Sequence, residues 1–262
     1  MKKRSSIIFI AFMIIASFYF SFIHTGETSV FIIPHQDDEV LSFSVAILEE
    51  LSKGNDVHLL LLTEGTKTIA RQMINGEYYC EWHEKHHSPE KEGYDPLSEF
   101  MISSLRQLEY KASLEALGVL NKHDANPWLV DSKVSVEDVK DEMRRLSAEM
   151  ERVHLHAFHP TLRADIRHSD HLASGQAAKE LAEEKGYDVT YYVEPYVELQ
   201  LPEDTKTLVL RPTVAQSESI RLAAKAYMNW DPKEDHFGIG YHSIKRYMDQ
   251  FLRDMRTIIV TE

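Results

Sequence analysis

The chain has 262 residues, 43% of them hydrophobic and 27% charged. That composition excludes wholesale disorder and collagen-like repeats, and the length allows one large domain or two small ones. Lysine and arginine number 29 against 42 aspartates and glutamates, a net charge of −13. So acidic a body repels phosphate backbones, and no nucleic-acid partner is expected. One cysteine, Cys80, stands against 14 histidines. No intrachain disulfide can form, and a lone cysteine reads as making any Cys-based metal cluster impossible, so that a bound metal must draw its ligands from His, Asp and Glu.

The chain opens Met1-Lys2-Lys3-Arg4 and then runs from Ile7 to Ile23 without a charge. A basic start followed by an unbroken apolar stretch reads as an export signal, and with its uncharged flanks the segment 5–26 is long enough to span a bilayer. No clean small-x-small cleavage site follows. An uncleaved signal anchor is therefore the first reading and a cleaved signal peptide the alternative; both leave the body of the protein outside the cytoplasm.

Beyond this segment, Ser29–Ile33 is a continuous β-branched run, as expected of a strand covered on both faces. Residues 38–53 show helical periodicity ended by Gly54, and Asp56–Leu62 is a second buried strand, so 29–62 reads as a parallel βαβ unit. From 63 to 97 the pattern breaks into a polar, aromatic stretch with three glycines and two prolines, a long variable loop. A helix is predicted over 98–117 with Ser98 as N-cap and Gly118 as its stop, and a second over 136–151. A strand follows at 153–158, a helix at 169–184, a strand at 188–193, a short strand at 207–210, and helices at 213–228 and 243–258. Strands alternating with helices predict one three-layer α/β/α, Rossmann-like domain with a mostly parallel sheet over 27–262. Ligands of such a sheet sit beyond the carboxyl ends of its strands.

Two clusters occupy such positions. Pro34-His35-Gln36-Asp37-Asp38-Glu39 follows the first strand, and Arg167-His168-Ser169-Asp170-His171 comes soon after the strand at 153–158. His35 and Asp38 are three apart across a strand-to-helix turn and can face one point; His168 and His171 are three apart at a helix start. The acidic run could equally serve the dipole of a helix N-terminus, although His35 gains nothing there. A catalytic zinc centre takes three protein ligands and keeps one open position. His35, Asp38 and His171 supply that set, leaving Asp37 and His168 as acid/base groups.

These residues resemble the LmbE-like (PIG-L) N-acetylglucosaminyl deacetylases. That family carries Ala/Pro-His-Pro-Asp-Asp-Glu after its first strand, where this chain has Pro34 to Glu39. The family's Arg-x-x-Glu-x-x-x-Ala-x-x-Leu-Gly is matched by Arg106 and Glu109, with the alanine one place early at Ala112 and Leu117-Gly118 one place late; Thr-x-Gly by Thr63-Glu64-Gly65; and His-Pro-Asp-His by His168 to His171. The similarity covers about residues 29–180. Gln36 and Ser169 replace prolines, for which altered loop rigidity rather than loss of metal is expected, and 66–97 departs from the family. The resemblance implies zinc on His35, Asp38 and His171, with Asp37 as general base toward a metal-activated water. It implies His168 as the cation that stabilises the oxyanion and Asp170 as the residue that orients it. The substrate would be an acetylated amino sugar, cleaved to acetate and a free amine.

Other features allow more than one reading. The three histidines of Glu81–His87 suit a second metal site, a lid over the pocket or a solvated loop, and Tyr78, Tyr79 and Trp82 suit either sugar stacking or packing of the loop. Arg71 could bind a substrate hydroxyl or phosphate. Arg106 and Glu109 lie one helical turn apart and read as a structural pair, with substrate binding by Arg106 as the other reading. His123, His236 and His242 read as ordinary polar residues. Three competing functions are a barrel-type polysaccharide deacetylase, an exported sugar-binding module with a vestigial site, and a zinc amidase acting on a non-sugar amide. The barrel type is disfavoured because its two histidines lie four apart in one motif. The residues do not decide the oligomeric state.

Overall fold

The computed structural model describes residues 26–161 and 169–261. The expected signal segment, all but Gly26, lies outside these residues, as does His168; among the described residues no helix is long and apolar enough to cross a membrane. In chain order the elements begin with β1 (Thr28–Ile33), a π-helical turn (Glu39–Phe43) that runs into α1 (Ser44–Ser52), and β2 (Asp56–Thr63). Then come α2 (Ala70–Ile74), α3 (Pro89–Glu92), α4 (Glu99–Leu117), β3 (Asn121–Leu129), α5 (Val136–Leu146), β4 (Val153–Phe158) and α6 (Ser169–Lys185). The chain continues through β5 (Asp188–Val193), β6 (Thr207–Leu210), α7 (Val214–Ala226), the two-residue hairpin strands β7 (Trp230–Asp231) and β8 (His236–Phe237), α8 (Ile239–Arg253) and β9 (Thr257–Val260).

Seven strands form one sheet in the order β3-β2-β1-β4-β5-β9-β6. The first five are parallel, with Phe31 opposite Leu59 on one side and His156 on the other; β9 runs antiparallel to both β5 and β6. The mostly parallel α/β architecture expected from the sequence is therefore present. Alternate side chains of the central strands feed two cores, which is why those strands read as continuous apolar runs. Phe31, Ile33, Leu59 and Leu61 pack against Tyr110 and Leu114 of α4, Ala224 of α7 and Phe251 of α8. Val30, Ile32, Leu60 and Leu155 pack against Val139 and Met143 of α5 and Ala177 and Leu181 of α6.

Several elements differ from expectation. The helix predicted over 243–258 lies at 239–253, and Thr257–Val260 is a strand: three apolar residues after one threonine, so soon after a helix, carry no period of their own. β3 escaped prediction because an edge strand reading Asn-Lys-His-Asp-Ala-Asn-Pro-Trp-Leu has no apolar alternation. The helix over 136–151 stops at Leu146 and tightens into a 3₁₀ turn. The 63–97 segment is not one open loop: Ala70, Ile74 and Leu97 form a third small core with Ile102 and Leu105 of α4 and Phe237 and Ile239. Cys80 is not an isolated thiol. It is buried beside His83, His87 and His242, so a single cysteine excludes an all-cysteine cluster but not a mixed donor set.

Glu109 does not pair with Arg106. Its buried carboxylate accepts the Ile239 and Gly240 backbone N–H groups at 2.6 and 2.9 Å and so caps α8 from α4. Replacing Glu109 with Ala is expected to cost roughly 1–3 kcal/mol in unfolding free energy, because two buried donors lose their acceptor. Glu109→Gln, which keeps an acceptor, should lose less; a Gln variant no more stable than the Ala variant in urea unfolding would contradict this capping role.

Candidate metal and catalytic site

β1 has β2 on one side and β4 on the other, so successive connections leave it in opposite directions and open a crevice beyond its carboxyl end. The turn after β1 lies in that crevice. The His35 backbone N–H donates to Asp38 Oδ2 at 3.0 Å, and the His35 Nδ1 lies 3.4 Å from the same oxygen. Asp37 sits at φ 110°, a left-handed conformation that costs a non-glycine residue energy and must be held by its surroundings. Glu39 provides part of that hold: its Oε2 accepts the Asp37 N–H at 3.0 Å, while Oε1 accepts the hydroxyls of Ser113 and Tyr227, each at 2.6 Å. The acidic run is therefore buried and turned inward rather than displayed around a solvated helix start.

His171 arrives from the first turn of α6. Its ring stacks on Phe158 at 3.9 Å and 3°, Nδ1 lies 2.8 Å from Glu194 Oε1 after β5, and Nε2 lies 3.3 Å from Asp38 Oδ2. His35 has the matching arrangement. Nδ1 faces Asp38, and Nε2 lies 3.3 Å from Asp170 Oδ2 and 3.7 Å from Asp131 Oδ1. Candidate ligand atoms of His35, Asp38 and His171 all fall within 4.8 Å of one another. Asp170 also accepts the backbone N–H groups of Ser132 and Val134 at 2.7 and 3.2 Å. It thus holds His35; His168, the residue it was expected to orient, lies outside the described residues.

The electrostatics show what this pocket accommodates. Burial alone would depress both imidazoles. The Asp170 and Asp38 carboxylates nevertheless raise His35 to about 10, and Asp38 with Glu194 raises His171 to about 9. Burial likewise works against the ionised Asp38, yet the two histidines hold it well below the usual carboxylate range. The site thus favours positive charge between two imidazoles and one carboxylate. Each imidazole presents one nitrogen inward and sets the other against an outer carboxylate, the donor arrangement that suits a divalent cation.

Asp37 stands beside this set. Burial pushes its carboxyl up to about 6, against the opposing charge of Arg106. Arg106, from α4, donates to Asp37 Oδ2 at 3.0 Å, to the Gly65 carbonyl at 3.1 Å and to the Gln36 carbonyl. It is 4% exposed yet lines the cavity beside Asp37, and its hydrogen bonds fix the turn that carries this carboxylate. The Gln36 side-chain amide donates to the Thr63 and Glu64 carbonyls and so ties this turn to the end of β2. Gly65, at φ 66°, has no room for a side chain: a Cβ there would lie 2.2 Å from Gln36 Oε1 and 2.9 Å from Arg106.

A cavity of about 480 Å³ opens over Asp37, Asp38 and His171. Its outer wall includes Lys67, Thr68 and Ser243, with Tyr196 and Tyr247 stacked at 4.1 Å. Arg71 is not among its lining residues, and neither are Tyr78, Tyr79 and Trp82; the first two tyrosines are about half exposed and Trp82 packs on Tyr241. Asp131, Glu194, Tyr196 and Tyr247 were not anticipated. Glu194, the first residue after β5, was the findable one, since it stands at a parallel strand's carboxyl end. Arg106→Leu is expected to leave Asp37 buried without its counter-charge and to cost about 3–5 kcal/mol in denaturant unfolding. A loss below about 1 kcal/mol would show that the turn does not depend on this pair.

A family profile described as PIG-L, GlcNAc-PI de-N-acetylase, matches residues 30–182. No curated protein matches the sequence. The structure is similar to that of a deacetylase–teicoplanin complex from the teicoplanin biosynthesis pathway, with a TM-score of 0.57 and 17% identity over 89% of this chain and 97% of that one. It is similar to the zinc inhibited form of teicoplanin deacetylase, with a TM-score of 0.56 and 16% identity over 89% and 97%. It also resembles N,N'-diacetylchitobiose deacetylase from Pyrococcus horikoshii, with a TM-score of 0.57 and 16% identity over 87% and 77%. At these identities the structural likeness speaks for the fold, whereas the profile spans more than half the chain and takes in the β1 turn, Arg106 and the start of α6 together. The chain belongs to the PIG-L family of de-N-acetylases.

Proposed function

We propose that this protein is a metal-dependent hydrolase that removes the acetyl group from an N-acetylated amino sugar outside the cytoplasm. The observation that carries the reading is the convergence of His35, Asp38 and His171 within 4.8 Å, beside a buried Asp37, at the carboxyl edge of the parallel strands. These three residues would hold a divalent metal, and zinc suits two imidazoles and one carboxylate. When bound, the metal supplies Lewis acidity toward an amide oxygen and toward water.

The protein's own groups do the rest. Asp37, near 6, is mostly ionised at neutral pH; it takes one proton of the attacking water as the new C–O bond forms and passes it to the nitrogen as the C–N bond breaks, so that amide and water become acetic acid and amine, which at neutral pH are acetate and ammonium. Arg106 fixes the orientation of that carboxylate, and Glu194 and Asp170 fix the imidazoles. His168 keeps the role the family motif gives it, a cation toward the developing oxyanion. The Tyr196–Tyr247 stack offers an aromatic wall for the apolar face of a pyranose ring. Relatives in the fold whose names mention teicoplanin and diacetylchitobiose support an amino-sugar substrate. Export rests on Met1-Lys2-Lys3-Arg4 and the apolar run from Ile7 to Ile23.

The test combines acetate release from N-acetylglucosamine-containing glycosides with elemental analysis. Asp37→Asn is expected to retain the wild-type metal content while kcat falls about 10²–10⁴-fold. His171→Ala should lose one equivalent of metal together with activity. An Asp37→Asn enzyme as fast as wild type would sink the assignment of the base, and a metal-loaded wild type inert on the whole glycoside panel would sink the substrate class.

A further inference from the structure

Away from the catalytic cavity, Cys80, His83, His87 and His242 bring one sulfur and three imidazoles together, with candidate ligand atoms all within 4.8 Å of one another. We propose that these four residues form a second metal site, a closed tetrahedral Cys-His₃ centre for zinc that clips the segment after β2 to the start of α8.

The local backbone is built as a chelate. Cys80 N donates to the Lys85 carbonyl at 2.8 Å and Lys85 N to the Cys80 carbonyl at 3.3 Å, closing a tight turn over 81–84 with Glu84 at φ 51°. Within it the His83 backbone N–H points at Cys80 Sγ, 3.4 Å away, a contact that favours a thiolate, and His83 Nδ1 lies 3.5 Å from the same sulfur. That spacing fits two corners of a zinc tetrahedron, whose sulfur–nitrogen edge is roughly 3.5 Å for bonds of about 2.3 and 2.0 Å. Gly76 lets the chain close: a Cβ there would lie 2.2 Å from the His87 carbonyl oxygen.

The other two imidazoles carry the outer partners that metal-binding histidines use. His87 Nδ1 lies 2.9 Å from Glu92 Oε2, and His242 Nδ1 lies 2.8 Å from the Gly238 carbonyl. With Nδ1 so engaged, Nε2 of each ring faces the cluster. Both residues are 4% exposed, and both Nε2 atoms are buried without a hydrogen-bond partner among the described residues. A buried ring nitrogen left without a partner is costly in a protein interior. A metal shared with the sulfur and His83 resolves both at once. Trp82 and Trp230 wall part of the cluster with ring contacts to His83, His242 and His87, and the four side chains together supply all four corners of a tetrahedron. The function is structural. His242 is followed by Ser243 and Ile244, which line the catalytic cavity, so the clip fixes one wall of the substrate site.

Because Cys80 is the sole cysteine, a sulfur-bound metal reports on this centre and never on the His/Asp site. Full-length protein loaded with Zn²⁺ is examined by X-ray absorption at the zinc edge, and protein loaded with Co²⁺ by near-ultraviolet absorption. The expected results are a sulfur scatterer at about 2.3 Å and a thiolate-to-cobalt charge-transfer band, with two metals per chain. Cys80→Ser should lose the band and one metal equivalent, whereas His171→Ala should keep the band and lose the other equivalent. Spectra with no sulfur contribution in wild-type protein saturated with either metal would overturn the proposal, and that measurement needs no variant to fold. An inactive enzyme that retains the sulfur signal would count against the deacetylase reading alone.

Discussion

Three consecutive carboxylates, Asp37, Asp38 and Glu39, are buried in one turn, and the site depends on giving each a different partner. Asp37 has the Arg106 guanidinium, Asp38 has two imidazoles, and Glu39 has two hydroxyls and the Asp37 N–H. Unpartnered, any of them would cost several kcal/mol or take up a proton. Beyond His35 and the Asp37 N–H in the turn itself, those partners come from α4, α6 and the end of α7, so the helices are tied to the sheet by the electrostatic requirements of this turn as well as by apolar contact. The strained backbone of Asp37 belongs to the same arrangement, since φ 110° aims its carboxylate at the cavity while its N–H is held from behind.

Around this turn the charges fall into shells. The inner donors are His35, Asp38 and His171; behind them stand Asp131, Asp170 and Glu194, which come from the ends of β3 and β5 and the start of α6. The outer carboxylates fix ring orientation and raise the basicity of the imidazoles. Arg106, buried against Asp37, is a guanidinium that offsets this negative density. The chain's overall acidity is thus expressed locally as a pocket that attracts cations.

What could be read in advance followed the strength of the local signal. β1 and β2 announce themselves by continuous apolar runs, β4 by its alternation and β5 by its β-branched and aromatic residues, and α4 is bracketed by a serine cap and a left-handed glycine. The inner donors were legible because His35 and Asp38 stand three residues apart in one turn and His171 follows a recognisable strand. Asp131 was hidden because β3, the strand before it, is polar and edge-lying. Arg106 and Glu109 were visible as a pair, yet their true partners lie dozens of residues away, and helical spacing says nothing of a third element. Cys80 and His242 are separated by most of the domain, and no local pattern joins them.

The position of β9 has a bearing on how the chain comes together. β6 precedes β9 in sequence but reaches the sheet only through it, being hydrogen-bonded to β9 and not to β5. During vectorial emergence, from a ribosome or across a membrane, the five parallel strands can dock in sequence while β6 waits with its edge unpaired. The antiparallel flank is therefore the last part of the sheet to become protected, and for that interval its open edge is the surface a chaperone, a protease or a second chain would meet first.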